Sequence, residues 1–362
     1  MTAAAHGAAV ANHVKVVRLL AEESGRVCGA VVEDTVTGEQ WPVRAKTVVN
    51  ATGPFADRVR GLTADVPSER IVPAAGAHVT LPASVCPSSR GMLIPETSDG
   101  RVVFMLPWEG AVIAGTTDRP VPVSENPAAT QEEVDFILRE LSKYLRKDVP
   151  LSRQDVLSAW SGIRPLVKAE NAENTAALSR DHVVEVLPKS GLISLMGGKW
   201  TTYRKMAEDA VDMVITVGAD KGVKAKRQCV TTGTPLIGAH ALEHTKQSAE
   251  VAALDSDVRE HLLHNYGDRA VEVLGGSKPE RLVEGQPFLR QEVRYACERE
   301  MAASAVDVVA RRTRLAFLDT EAAKKASADV IDIMAQQLAW TPEQRMQQQK
   351  EVDAYLASCS AQ

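Results

Sequence analysis

Leu192-Ile-Ser-Leu-Met-Gly-Gly-Lys-Trp-Thr-Thr-Tyr-Arg204 is the stretch whose reading decides the fold. The apolar run Leu192 to Met196, bounded by Gly191 and Gly197, reads as a buried strand. Gly197-Gly198 then makes a turn with no side chain in the way. From Lys199 the pattern turns helical, with Trp200, Tyr203, Ala207, Val211 and Val214 as an apolar face spaced at three to four residues. A strand, a bare glycine turn and a helix start together form a site for negative charge. Free backbone N–H groups point outward, and the helix dipole adds partial positive charge. Lys199 adds a full one. The strand–helix corner of any α/β protein carries the same signature, so this stretch alone leaves the function open.

Working upstream, Thr47 to Ala51 reads as a second buried strand, ending in Ala51-Thr52-Gly53. Small residues at a strand's carboxyl end let a ligand approach the backbone, and open α/β sheets bind ligands there. Before it, residues 14–20, 27–33 and Trp41 to Arg44 read as a three-stranded antiparallel meander, with turns at Glu22–Gly25 and Asp34–Glu39. Between the two stretches, Ile71 to Leu187 shows short strands at Ala77–Leu81, Gly91–Ile94, Arg101–Pro107, Ala111–Gly115, Val156–Ile163 and His182–Leu187. Gln131 to Arg146 is amphipathic, with Val134, Ile137, Leu138, Leu141 and Leu145 on one face. This reads as a mixed-sheet α+β substrate domain over about 70–190, inserted before the glycine corner.

Downstream, 218–238 is loop-rich and strand signals then vanish. Ala239–Ala253, Asp257–Tyr266, Arg290–Thr313, Thr320–Leu338 and Pro342–Ala357 carry helical patterns. The boundary falls near 225. This gives 1–225, with ligand elements at about 1–60 and 190–217, and a helical domain at 226–362. Arg311-Arg-Thr-Arg314 reads as a solvated or domain-contacting face.

The 362 residues suit about two domains. A net charge of −5 argues against a nucleic-acid binder. The five cysteines form no Cys-x-x-Cys pair, so neither a zinc site nor a disulfide framework is indicated, and no metal is expected. No apolar run approaches the roughly 20 residues of a membrane span.

Val48-Val-Asn-Ala-Thr-Gly-Pro-Phe55, Thr97-Ser-Asp-Gly-Arg-Val-Val-Phe104, Ile113-Ala-Gly-Thr-Thr-Asp118, Ala159-Trp-Ser-Gly-Ile-Arg-Pro-Leu166 and Gly197-Gly-Lys-Trp-Thr-Thr-Tyr-Arg204 occur in that order. Together they resemble the FAD-dependent glycerol-3-phosphate dehydrogenases of the mitochondrial type. Glu292-Val-Arg-Tyr295 and the run from Ala305 to Phe317 extend the likeness into the helical region. The resemblance implies α/β plus α architecture: a two-dinucleotide-fold flavoprotein of the D-amino-acid-oxidase-like class with a helical C-terminal domain. One departure stands out. The family's opening strand–Gly-x-Gly-x-x-Gly–helix, which binds the FAD pyrophosphate, has no counterpart in these residues. By resemblance Ala3 to Asn12 matches an internal helix, so the chain is expected to correspond to the C-terminal part of the enzyme. By itself it is then expected to bind FAD poorly. The calcium-binding loop pattern of animal members does not occur in it either.

The resemblance further implies oxidation of sn-glycerol 3-phosphate to dihydroxyacetone phosphate, with FAD as cofactor and ubiquinone as acceptor. It implies a mitochondrial location with peripheral attachment to the inner membrane, and it is compatible with a homodimer. The substrate is a dianion, and Arg164, between Gly162 and Pro165, offers a planar fork for phosphate or a substrate oxygen. A surface ion pair is the plain alternative. His78 matches a family histidine near the flavin and has the chemistry of a base for the substrate hydroxyl; a structural histidine is the alternative. Lys199 is expected to stabilise the developing alkoxide or the reduced flavin. Ala51, Thr52, Gly53, Thr116, Gly197, Gly198, Lys199, Trp200, Thr201 and Thr202 are the expected cofactor contacts. The two threonines at 201 and 202 could equally serve as helix caps. A glycerophosphate oxidase using oxygen and a non-catalytic fragment remain as alternative functions.

Overall fold

The computed structural model describes residues 1–65, 67–86, 90–145, 151–168 and 181–361. It opens on one helical turn, α1 (Thr2–Ala5). The helix expected through Asn12 stops here, because Gly7 takes a φ of 89° and breaks it. The following residues are tied to distant chain instead. Asn12 Nδ2 donates to the Met301 carbonyl at 2.6 Å, and His13 Nε2 pairs with Asp307 at 3.1 Å.

The meander follows as β1 (Val14–Ala21), β2 (Val27–Asp34) and β3 (Gln40–Arg44), all antiparallel. Leu19, Val27, Ala30 and Val32 from its inner face pack on Leu187 and Leu192, which fixes the meander against the deciding stretch. Then come β4 (Val49–Asn50), a 3-10 turn at Gly53–Phe55 and α2 (Ala56–Arg60).

A larger sheet carries the centre of the molecule. It comprises β5 (Ile71–Pro82), β6 (Met92–Ile94), β7 (Val103–Trp108), β8 (Ala111–Gly115), β9 (Arg119–Pro120) and β10 (Ser158–Val167). The order is β10–β5–β8–β7–β6, with β9 also on β5. Every pairing in it is antiparallel, so the mixed pairing expected here lies elsewhere. α3 (Gln131–Ser142) covers one face; Val134, Ile137, Leu138 and Leu141 meet Ala77, Val79, Leu81, Val112 and Ala114. Each such large aliphatic side chain contributes on the order of 1.5–3 kcal/mol by burial. The helix ends at Ser142; its expected end, Arg146, lies outside the described residues. Because strand side chains alternate, Gly76, His78 and Thr80 point to the opposite face.

The mixed sheet is the smaller one: β11 (His182–Val186), β12 (Ile193–Gly197) and β4, in the order β11–β12–β4. β12 runs antiparallel to β11 and parallel to β4. β11, expected among the strands of the substrate region, therefore belongs with the glycine corner. A 3-10 turn at Trp200–Thr202 leads into α4 (Tyr203–Val217). The expected apolar face of this helix is not the packed one. Trp200, Tyr203 and Val211 are 87%, 51% and 55% exposed, whereas Ala210 is buried and Met206 and Met213 are half-buried. The helix carries two apolar stripes, and periodicity does not say which one the fold covers.

The rest is helical: α5 (Leu242–Lys246), α6 (Ala249–Ala252), α7 (Ser256–Tyr266), α8 (Ala270–Leu274), α9 (Arg290–Arg299), α10 (Leu315–Leu318), α11 (Thr320–Leu338) and α12 (Pro342–Ser358). Two expected helices are broken. Ser248 ends one and caps α6, accepting from the Val251 N–H at 3.3 Å. The other stops after α9, where Met301 adopts a φ of 56°, and helical winding resumes as a wide turn at Asp307–Arg312. The helices close over the start of β10: the Ala159 N–H donates to the Cys359 carbonyl at 2.8 Å and Ser158 Oγ to the Ala316 carbonyl at 2.9 Å. That covers part of an edge strand that would otherwise be left open.

Candidate active site

The site lies on the sheet face away from α3. Register sets Trp160 beside His78, His78 beside Gly115 and Gly115 beside Phe104, one row across four strands. Gly115 is required there. A β-carbon at that position would come within 2.7 Å of His78 Cδ2 and 2.9 Å of the Ala77 carbonyl oxygen. The imidazole lies in the space the glycine leaves, stacked on Trp160 with ring centres 4.6 Å apart. Burial first, and the nearby Arg164 charge second, push His78 down to about 4, and the Gly76 backbone offsets part of this. At neutral pH the ring is therefore uncharged and can accept a proton. Nδ1 is buried and has no hydrogen-bond partner among the described residues, which leaves Nε2 as the available nitrogen.

Arg164 sits on the same face four residues along β10 from Trp160. Its guanidinium crosses Gly76, where a β-carbon would approach Nη2 to 2.5 Å. Nη2 donates to Thr116 Oγ1 at 2.8 Å; Nη1 donates to the Thr117 carbonyl at 3.1 Å and to Asp118 Oδ1 at 3.4 Å. The partly exposed Asp118 leaves the guanidinium's outer edge in reach of an anion. Below it, buried Thr117 takes the Ala77 N–H at 2.9 Å and donates to Glu133 Oε1 at 2.6 Å, fixing the 116–118 segment to α3. Gly162, directly beside Gly76, faces open space. The floor of the site is thus Gly76, Gly115 and Gly162, three strand positions with no side chain.

A second cluster forms at the carboxyl ends of the parallel strands β4 and β12. Gly197 and Gly198 take φ of 72° and 81°. β-Carbons there would meet Val167 Cγ2 at 2.8 Å and Met206 Sδ at 2.6 Å. Backbone conformation favours glycine at both positions, and at Gly197 the space does so as well. Ala51 and Thr52 are exposed, and Gly53 has a φ of 58°. Thr52 Oγ1 donates to Asn50 Oδ1 at 2.7 Å, and buried Asn50 Nδ2 donates to the Ala56 carbonyl at 2.9 Å and to Ser194 Oγ at 3.3 Å. Bare backbone, small side chains and the exposed cation Lys199 fit an anionic, planar cofactor. The helix-dipole argument is weaker than expected, because α4 begins only at Tyr203. Thr202 Oγ1 donates to the Lys199 carbonyl at 3.0 Å, a local turn contact, and Thr201 is exposed.

Of the expected residues, His78, Arg164 and Thr116 are brought together. Ala51–Gly53 and Gly197–Thr202 form the second cluster, which meets the large sheet through Met196, Ala56, Val167 and Ile71. Among the described residues no hydrogen bond or ion pair joins the two clusters. Trp160, Gly76 and the Asn50–Ser194 pair had no assigned role in the sequence, and Gly115 was expected only as the start of a strand-end segment, Gly115 to Asp118, lining the flavin side of the pocket or forming an Asx turn. The signal for the two glycines was Gly76 two residues before His78 in β5 and Gly115 closing β8, but a reason for either needs the cross-strand neighbours. A cavity of about 600 Å³ near α1 and α5, lined by His6, His240, His244 and Asp268, contains none of these residues. Asp268 there already accepts from the His240 and Ala241 N–H groups, at 2.9 and 2.8 Å. Among the described residues no cluster could hold a metal.

Known proteins match along the whole chain. A probable mitochondrial glycerol-3-phosphate dehydrogenase of Caenorhabditis elegans is 48% identical over 365 residues, covering 97% of this chain and 50% of that protein. The mitochondrial glycerol-3-phosphate dehydrogenase of Homo sapiens is 42% identical, covering 96% and 49%. The chain thus spans about half the length of the curated relatives it matches. A glycerol-3-phosphate dehydrogenase from Bacillus halodurans, solved in complex with FAD, superimposes with a TM-score of 0.84 at 29% identity, over 99% of this chain and 71% of that one. The family described as the C-terminal domain of alpha-glycerophosphate oxidase matches 229–345. The FAD dependent oxidoreductase family matches 1–204, more than half of the residues, and on that match and this geometry the chain belongs to that family.

Proposed function

We propose that this chain carries the substrate site of an FAD-dependent dehydrogenase that oxidises sn-glycerol 3-phosphate to dihydroxyacetone phosphate and passes the electrons to a quinone. The observation that carries this reading is the pairing of an uncharged, half-buried His78 with the held guanidinium of Arg164 on one glycine-floored face. The match to glycerol-3-phosphate dehydrogenases supports the choice of substrate.

In this reading Arg164 binds the dianion or a substrate oxygen at its outer edge, and Thr116 and Thr117 keep the fork in plane. The C2 hydroxyl then lies toward His78 Nε2, which takes its proton as the alcohol becomes a ketone. Bound FAD supplies the two-electron acceptor for the hydrogen on C2. The Ala51–Gly53 backbone, Gly197, Gly198, Trp200, Thr201 and Thr202 would hold it, with Lys199 countering negative charge at the reduced ring or the alkoxide. Low local polarity at His78 strengthens these charge interactions.

The names of the relatives place them in mitochondria, which supports the same location for this protein. No described helix is long and apolar enough to cross a membrane, and attachment to the inner membrane is read as peripheral. The test is ubiquinone-analogue reduction driven by sn-glycerol 3-phosphate, with glycerol as the control that lacks phosphate. It is run on the FAD-reconstituted chain and on a chimera in which the chain replaces the matching half of the Caenorhabditis elegans relative. Turnover with glycerol 3-phosphate and not with glycerol supports the proposal; equal turnover, or none in the chimera, removes it. The match of 229–345 to the alpha-glycerophosphate oxidase domain favours a second reading, with oxygen as acceptor. Oxygen uptake that outpaces quinone reduction would select it.

A further inference from the structure

His78 is held chiefly by rings, with a backbone contact to Gly76 as the one polar interaction. Trp160 stacks on one flank with planes 19° apart, and Phe104 leans in from the other at 5.7 Å. A histidine base is ordinarily oriented by a hydrogen bond at its second nitrogen. Here Nδ1 is buried without a partner among the described residues, and so is Trp160 Nε1. Beside the Gly76 backbone, stacking on Trp160 is what sets the ring.

Trp160 is in turn backed by Phe317, with ring centres 5.1 Å apart, and Phe317 by Tyr355 at 6.4 Å. These two residues come from α10 and α12, far along the chain. Thr80 Oγ1, on the same face as His78 and two residues away, donates to the Phe317 carbonyl at 2.6 Å and pins α10 to the sheet. We propose that Phe317, acting through Trp160, is a positioning residue for His78. The helical region thereby keeps the imidazole turned to the open face where the substrate hydroxyl binds. This rests on the reading of His78 as the base.

Among the described residues the charge acting on the imidazole is Arg164 from β10, which itself pairs with Asp118 from the loop after β8. β7 brings Phe104, and α10 has no titratable side chain. A shift in His78 on changing Phe317 therefore reports packing and water entry rather than a lost charge.

The experiment titrates His78 by NMR in protein carrying labelled histidine, which needs neither cofactor nor substrate. It is paired with kcat and KM per bound flavin. In Phe317→Ala the His78 midpoint should rise by about one unit or more toward its ordinary value. kcat per flavin should fall roughly tenfold while KM stays within about twofold. Phe317→Leu, which keeps most of the volume, should show smaller changes in the same direction and carries the test if the alanine variant does not fold. An unchanged midpoint, or unchanged kcat per flavin, overturns the proposal. Absence of glycerol 3-phosphate oxidation in the unsubstituted protein would instead overturn the proposed function, and the titration would still decide whether Phe317 sets the ring.

Discussion

The Arg164 guanidinium rests on Gly76, and a β-carbon there would come within 2.5 Å of Nη2 and 2.6 Å of Nη1. Gly76 is not in the left-handed region, so alanine fits the backbone and the conflict is confined to the guanidinium. Gly76→Ala should therefore keep stability within about 1 kcal/mol while displacing the fork. Substrate use should fall by roughly tenfold to a hundredfold, the scale of a misplaced binding group. Denaturant unfolding beside steady-state kinetics checks this. Wild-type kinetics in a folded variant would remove the fork from the site.

Arg164→Lys keeps the charge and loses the geometry. A single ammonium cannot span Thr116 and Thr117 and still offer an edge to phosphate. The expected loss in kcat/KM is about 2–3 kcal/mol, roughly thirtyfold to 150-fold. Unchanged kcat/KM would show that Arg164 is only a structural partner of the 116–118 segment.

His78 also makes stability depend on pH. Burial keeps the native ring near 4, against an ordinary value of 6.5. Between those values the unfolded chain binds more protons than the native one, so stability falls as pH drops from 6.5 toward 4. The loss over that window is about 3 kcal/mol at most. Denaturant midpoints measured at pH 7 and pH 4.5 should show it, and His78→Gln should flatten the difference. An equal slope in both proteins would show that His78 is not the group responsible.

Gly198→Ala tests the second cluster. The position has a φ of 81°, and a β-carbon there would come within 3.0 Å of His182 Cβ and 2.6 Å of the movable Met206 thioether. A cost of about 1–3 kcal/mol is expected, together with a lower flavin content after reconstitution. Gly197→Ala should be worse, since its β-carbon meets the Asp181 carbonyl oxygen at 2.9 Å. Tolerance of both substitutions would contradict the close approach described here.

Much of this arrangement is legible in the amino-acid order where local rules suffice. The meander, the strand before Gly197, the amphipathic α3 and the long helices α7, α11 and α12 follow from period and turn chemistry. What fails is what only distant neighbours decide. Tyr203 and Val211 look like a core stripe and are exposed, because Met206, Ala210 and Met213 offer the fold an alternative face. β11 follows the larger sheet in sequence yet pairs with β12. The breaks at Ser248 and Met301 come from caps and a left-handed residue that helical periodicity overlooks. At the site, the residue types of His78, Arg164 and Lys199 point to their chemistry. The need for Gly76 and Gly115 emerges only when the strands are placed side by side, and Phe317 is more than 230 residues from Thr80, whose hydroxyl it binds.

The most direct measurement is the rate of flavin bleaching when sn-glycerol 3-phosphate is added without oxygen, with and without deuterium on C2. It is made on the FAD-loaded chimera with the Caenorhabditis elegans relative and on its His78→Ala variant. The account predicts bleaching that slows with deuterium, and a loss of roughly a hundredfold or more in the variant, the scale of a removed general base. Bleaching at the same rate in His78→Ala, or no bleaching at saturating substrate, would contradict it.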